Sequence, residues 1–335
     1  MIRIVVVAGF ALALSLPASA IASAQRTFVA SNGADSNACS IAAPCRSFAA
    51  AIAHANAGGE VIVLDSAGYG AVTITGPISI IAPAGVYAGI SVFTGENGVT
   101  INAGATDTVI LRGLSINNQG GDDGVYVNMA GTVQIESCVI NGMVNGIWFV
   151  PSIATKLIVM DTTVRNSTAS GLVALPGLGG LQSEVYVWRS VFARNTGAGI
   201  LFLNIAKSSI GETLVAKNGS DGISIAASGA AGNFLFAAID RVQSVGNGNG
   251  INAFVIGHTV QMVTVNVTNS TLSDNVGAGA QVGDFATVVL GGCQLTGNTI
   301  GTNTVGTGQI ATLGTSMRWS NNLDGAAPNF PVAPF

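Results

Sequence analysis

Val187-Trp188-Arg189-Ser190-Val191-Phe192-Ala193-Arg194-Asn195-Thr196-Gly197-Ala198-Gly199-Ile200 can be written directly above Ile210-Gly211-Glu212-Thr213-Leu214-Val215-Ala216-Lys217-Asn218-Gly219-Ser220-Asp221-Gly222-Ile223. The two stretches agree column by column. Each runs apolar, two variable residues, a small residue, one variable, apolar, then a turn that reaches Gly followed by an apolar residue. Working outward, six more segments fit the same frame. The small-residue column reads Leu114, Cys138, Thr162, Ser190, Thr213, Val242, Ser270, Cys293, with spacings of 24, 24, 28, 23, 29, 28 and 23 residues. A period this short is one turn of a solenoid, because it cannot enclose a core of its own and must stack on its neighbours.

The flanking columns say which residues face inward. Before the small column stand Leu111, Ile135, Val159, Val187, Ile210, Ile239, Val267 and Leu290. After it stand Ile116, Ile140, Val164, Phe192, Val215, Ser244, Leu272 and Leu295, with Ser244 the one polar break. Apolar residues two or five apart, repeated coil after coil, predict short strands whose side chains stack in files. Asn195, Asn218, Asn247, Asn275 and Asn298 recur five residues past the small column and predict an internal amide ladder beginning partway along. Asn is also expected to take the left-handed backbone there. Gly124, Gly146, Gly171, Gly199, Gly222, Gly250 and Gly279 close the turn. The expectation for them is a positive φ at that corner.

The first residues read differently. Arg3 precedes an apolar run of 13 residues, Ile4 to Leu16, and Ala18-Ser19-Ala20 and Ala22-Ser23-Ala24 are small-x-small sites. This is the pattern of a secretory signal peptide cut after Ala24. A membrane span needs about 20 apolar residues. The organisation expected is 1–24 signal peptide, 25–59 N-terminal cap, 60–320 repeats and 321–335 tail, with the mature chain periplasmic or extracellular. Losing Arg3 leaves 11 Lys and Arg against 16 Asp and Glu, which argues against nucleic acid as a partner. No later stretch is apolar enough to cross a membrane. In the cap, Arg46 to Ala57 is expected to be helical, stopped by Gly58-Gly59. Cys39 and Cys45 lie six apart in a turn-rich segment, and a disulfide suits an oxidising compartment, with two unpaired thiols the alternative. Cys138 and Cys293 share a column six coils apart, about 29 Å at the usual strand spacing of ~4.8 Å, too far to bridge.

Repeated short strands, an Asn ladder at one corner and a helical cap resemble the right-handed parallel β-helix proteins of the pectate-lyase-like group. Phe28-Val29-Ala30-Ser31-Asn32-Gly33, Pro44-Cys45-Arg46-Ser47-Phe48 and Gly68-Tyr69-Gly70 resemble the opening segment of many secreted bacterial members. The resemblance implies an all-β, single-stranded right-handed parallel β-helix of about ten coils with an N-terminal α-helical cap. The group spans polysaccharide lyases, glycoside hydrolases, epimerases, surface proteins and tail spikes, so it implies a polysaccharide partner without a reaction.

Candidate chemistry is sparse. Asp122-Asp123 is the acidic pair that the resemblance to polygalacturonase-like hydrolases would make catalytic, but Gly257-His258-Thr259 falls 135 residues downstream instead of in the next coils. A solvated turn is the plainer reading. The column before the small one holds Asp161, Arg189, Glu212 and Arg241 in alternating sign over four coils, beside Trp188. Stacked, they predict either a ladder of ion pairs that controls register or a strip that grips sugars, with Trp188 as a stacking platform. Arg165, Arg194 and Lys217 form a second row, as a solvated turn or a seat for an anionic glycan. Two His and no cysteine cluster predict no metal site, and no phosphate loop predicts no cofactor. Two functions stay open: a non-catalytic scaffold or glycan-binding surface protein, toward which the missing carboxylate cluster leans, and a lyase or hydrolase of an acidic polysaccharide.

Overall fold

The computed structural model describes residues 24–177, 182–228, 234–257, 262–325, 327 and 330–331. The expected signal segment up to residue 23 and His258 lie outside the described residues. Each coil gives one strand to each of three parallel sheets of 13, 11 and 11 strands. The molecule is a right-handed parallel β-helix of about ten coils. We call the sheets 1, 2 and 3 in the order in which a coil visits them. In one coil these are Glu184–Trp188, Val191–Ala193 and Ile200–Leu203.

Like residues sit over like. Val187 pairs with Ile210, Ile210 with Ile239, Ile239 with Val267 and Val267 with Leu290. Ile140, Val164, Phe192 and Val215 form one file through sheet 2, and all four are fully buried. A one-residue slip would turn every such file to solvent, so burial holds the register. Ser244 breaks the apolar file without leaving the interior: its hydroxyl donates to Gly250 O at 2.7 Å and accepts from Asn247 Nδ2 at 3.2 Å. The file ends at Arg318, whose Nη1 donates to Thr302 Oγ1 at 2.7 Å and Asp324 O at 3.1 Å. Strand pairing continues beyond residue 320, where Leu323–Gly325 joins sheet 3.

The cap helix is shorter than its composition suggests, Phe48–His54 instead of Arg46 to Ala57. At its start, Ser47 Oγ accepts from Ala50 N, and Asp35 binds the backbone N–H of Arg46 and Ser47, which anchors the preceding residues outside the helix. At its end, Ala55 turns extended and begins the strand Ala55–Val63, which pairs with Ala24–Val29. Strand pairing therefore wins over helix propensity at Ala55 to Ala57. Phe48 and Ala51 bury against the first coil. Cys39 and Cys45 form a disulfide, while Cys138 and Cys293 are free and buried. Burial pushes the Cys138 thiol up to about 11.

Candidate functional site

Two corners of the coil carry left-handed backbone, and neither is where the sequence places it. The closing glycines and the ladder asparagines do not have positive φ. Instead the first left-handed column is Gly113, Ser137, Asp161, Arg189, Glu212, Arg241, Asn269 and Gly292, between sheets 1 and 2, with φ of 45–75°. The second stands one residue before the ladder: Gly142, Asn166, Arg194, Lys217, Gly246, Asp274, Gly297 and Ser320. A non-glycine residue is disfavoured there by roughly 1–2 kcal/mol. Pairing between coils offsets this, as in Asp161 N to Trp188 O at 3.1 Å and Arg189 N to Gly211 O at 3.1 Å. The closing glycines are required by space. A Cβ on Gly171 would lie 2.6 Å from Gly199 O and 2.8 Å from Asn195 Nδ2.

The small-residue column has its own chemistry. Thr162, Ser190, Thr213 and Ser270 each donate a hydroxyl hydrogen bond to the carbonyl two residues earlier, at 2.7–2.9 Å. Each oxygen also accepts a backbone N–H from the coil before, as Ser190 Oγ does from Thr162 N at 3.2 Å. Sequence reading recognised size at this column and missed the hydroxyl ladder.

On this corner the predicted strip resolves into two separate ion pairs. Arg189 holds Asp161 bidentately, Nε to Oδ1 and Nη2 to Oδ2, both at 2.9 Å. Arg241 Nη2 meets Glu212 Oε1 at 2.8 Å, and its Nη1 meets Asp240 Oδ2 at 2.8 Å. No ion pair joins Arg189 to Glu212, so the four-coil alternating ladder is not continuous. The Arg189 hydrogen bond holds Asp161 below the usual carboxylate range. All four side chains are substantially exposed, which limits each pair to about 0.2–1 kcal/mol.

Trp188 and Tyr186 point out from sheet 1 on the same strand, both half-buried. The Trp188 indole lies over Gly211 in the next coil, where a Cβ would stand only 2.1 Å from the ring. Tyr186 OH donates to Glu184 Oε2 at 2.8 Å, and Lys156 Nζ sits 5.9 Å from the Tyr186 ring centroid and 3.8 Å from Glu184. That hydrogen bond, with burial, raises the Tyr186 hydroxyl pKa. Beside them is a shallow pocket of about 320 Å³ lined by Thr132, Thr155, Lys156, Gln182 and Glu184 among others. The structure thus gathers Asp161, Trp188 and Arg189 with Lys156, Glu184 and Tyr186, which sequence reading did not single out. Register alone would have found Tyr186, two residues from Trp188 on one face.

Asp122 and Asp123 lie at the corner between sheets 2 and 3, in different settings. Asp122 is exposed. Asp123 is half-buried and its Oδ1 accepts from Asn145 N at 3.1 Å and Asn145 Nδ2 at 3.0 Å. It belongs to a second polar ladder: Asn97 Oδ1 receives Asp123 N, Asn145 Oδ1 receives Ser170 N, and Ser170 Oγ receives Ala198 N. Burial raises the Asp123 pKa despite these bonds. Among the described residues, the one group of three potential metal ligands is Cys39, Cys45 and His54, and the disulfide already engages both sulfurs.

Comparison with solved structures decides the fold. The pectate lyase Pel9A superposes with a TM-score of 0.51 at 15% identity, over 92% of this chain and 82% of that one. The fold is that of the pectate-lyase-like parallel β-helix. The Dettilon tailspike protein matches with a TM-score of 0.60 at 12% identity, over 88% of this chain and 62% of the tailspike. The periplasmic alginate epimerase AlgG matches with a TM-score of 0.52 at 10% identity, over 80% and 77% of the two chains. No protein-family model and no curated protein sequence matches.

Proposed function

We propose that this chain is an exported, non-catalytic β-helix scaffold that binds a glycan on the outer face of sheet 1. The carrying observation is the pair of outward aromatic rings, Tyr186 and Trp188, on one strand beside the bidentate Asp161–Arg189 pair. Half-buried rings offer an apolar face to the C–H side of a sugar, and the flanking polar groups bond its hydroxyls. The indole of Trp188 packs against the Gly211 backbone on one face and stays partly exposed. Solved proteins of this fold include, by name, a pectate lyase and an alginate epimerase, which supports a polysaccharide partner. The Cys39–Cys45 disulfide and the signal-like first residues support export.

The non-catalytic reading is supported by where the acids are committed. Asp161, Glu212, Asp240, Glu136 and Glu184 are bound by cations of the chain, and Asp123 by Asn145. A second reading, hydrolysis or lysis of an acidic polysaccharide, is favoured by the raised pKa of Asp123 beside Asp122. One experiment separates them. The mature chain is incubated with acidic and neutral polysaccharides, and both retention and new chain ends are scored. Retention without cleavage, lost in Trp188→Ala, is expected. Depolymerisation abolished by Asp122→Asn or Asp161→Asn overturns the non-catalytic reading.

A further inference from the structure

The chain holds 12 Lys and Arg, and all but Arg3 fall among the described residues. Most are spoken for. Arg26, Arg112, Lys156, Arg189 and Arg241 sit in ion pairs. Arg46 donates to Gly68 O, and Arg318 to Thr302 and Asp324. Among the described residues, the side chains of Arg165, Arg194, Lys207 and Lys217 have no hydrogen-bond or ion-pair partner. Three of these four, all exposed, lie on consecutive coils at the corner between sheets 2 and 3: Arg194 and Lys217 share the left-handed column, and Arg165 stands one residue earlier, in register with Ala193.

Geometry makes this row distinct from the strip on the opposite edge of sheet 2. Both columns use left-handed backbone, with φ of 58° at Arg194 and 57° at Lys217 against 45° at Arg189 and 49° at Glu212. The strip alternates sign and neutralises itself. The row here carries one sign over three coils, about 10 Å of axis at ~4.8 Å per coil. Its next member is Gly246, over which the Lys217 stem lies, with Cγ 3.6 Å from where a Cβ would stand. The next acid of the column, Asp274, is a further coil away and its carboxylate lies over Gly297, away from Lys217. Arg194 and Lys217 are like charges in one column on adjacent coils, a small unfavourable interaction that an anion outside the chain would relieve. The floor between row and strip carries no charge: its outward side chains are Thr163, Val191, Ala193, Leu214 and Ala216.

We propose that Arg165, Arg194 and Lys217 form a second binding site, separate from the aromatic face, which holds a linear acidic glycan running along the solenoid axis. A repeating anion matches cations that repeat once per coil. Two donors on each guanidinium suit carboxylate or sulfate. Nucleic acid fits less well, because no aromatic ring interleaves the row for base stacking and the net charge of the chain is −4.

The test uses the mature chain and fluorescent polygalacturonate, dextran sulfate, neutral dextran and single-stranded poly-thymidylate, followed by anisotropy over a salt series. The variant Arg165→Gln/Arg194→Asn/Lys217→Asn removes the row, with Asn chosen because it tolerates left-handed backbone. Arg26→Gln/Arg112→Gln/Lys207→Gln makes the same charge change elsewhere. The expected result is binding of polygalacturonate or dextran sulfate and not dextran, weakened about tenfold or more in the row variant and little in the control. The slope of log K against log salt should flatten by about 2, at roughly 0.7 per cation on a flexible polyanion. Polygalacturonate alone would identify carboxylate as the recognised group, and both polymers would identify charge spacing. The proposal is overturned if neither acidic glycan binds, if the control loses as much as the row variant, or if poly-thymidylate binds best. Loss of neutral-glycan retention in Trp188→Ala reads the aromatic face separately and leaves this outcome untouched.

Discussion

Asn247→Ala should do more damage than any surface change in this chain, and its size can be worked from the ladder. Asn247 is fully buried. Its Oδ1 accepts from Asn218 N at 3.0 Å and Asn218 Nδ2 at 2.9 Å. Its Nδ2 donates to Val215 O at 3.0 Å, with longer contacts to Ser244 Oγ at 3.2 Å and Asn275 Oδ1 at 3.3 Å. Truncation leaves the Asn218 backbone N–H without its acceptor, since no sheet partner replaces Oδ1 at that corner. An orphaned buried donor costs about 1–3 kcal/mol, and each further net hydrogen bond about 1 kcal/mol. The Asn218 Nδ2 keeps its bond to Phe192 O, and the Asn275 Nδ2 keeps two, to Ser244 O and Asn298 Oδ1. The expected loss is therefore about 3–4 kcal/mol, a change of more than a hundredfold in the folding equilibrium. Urea unfolding followed by circular dichroism gives the total. Hydrogen exchange gives the location: the Asn218 amide should lose protection first, and amides three coils away should not lead it. Asn321→Ala at the partly exposed end of the same ladder, where Asn298 is the donor to Oδ1, is the internal comparison and should cost less. A loss below about 1 kcal/mol for Asn247→Ala, or equal losses at both positions, would refute the reasoning.

Two further outcomes follow from the corners and the cap. Gly171→Ala should destabilise by about 1–3 kcal/mol through overlap with Gly199 O and Asn195 Nδ2, while an equivalent change at Gly76, where nothing lies within 4 Å, should cost little; thermal melts that rank the two alike would return the glycine column to a backbone explanation. The cap should loosen in acid: hydrogen bonds from Ser31 and Tyr69 lower the Asp65 pKa, and at Asp35 bonds from Ser47 and Arg46 outweigh the upward push of burial. Depressed carboxyls contribute stability that is present above about pH 4 and is lost as pH falls through their folded values, so limited proteolysis after Ala24 to Ala57 should accelerate below pH 4, and Asp35→Asn should remove part of that pH dependence.

The files through the interior were legible because burial writes itself into period. Val187 over Ile210 and Phe192 over Val215 need only apolar side chains at matching positions, and water excludes any other register. The Asn ladder was legible for the same reason, five of its six members standing in one column, with Asn321 hidden by the looser last coil. The corners were not. Whether Gly199 answers to φ or to space depends on how near Val215 and Asn218 of the next coil approach, and that distance is set by stacking. The candidate site was half legible. Trp188, Asp161 and Arg189 stood out by type, but that Arg189 binds Asp161 and leaves Glu212 to Arg241 depends on side-chain reach between coils.

From its residues alone this chain declares a stack of parallel coils, a helical cap, an internal amide ladder and two free buried thiols, because repetition and burial act locally on each column. Only the folded stack decides which charges cancel and which do not. Asp161, Arg189, Glu212 and Arg241 neutralise one edge of sheet 2 while Arg165, Arg194 and Lys217 leave the other edge positive, since electrostatic partnership depends on distances across coils that no single segment contains.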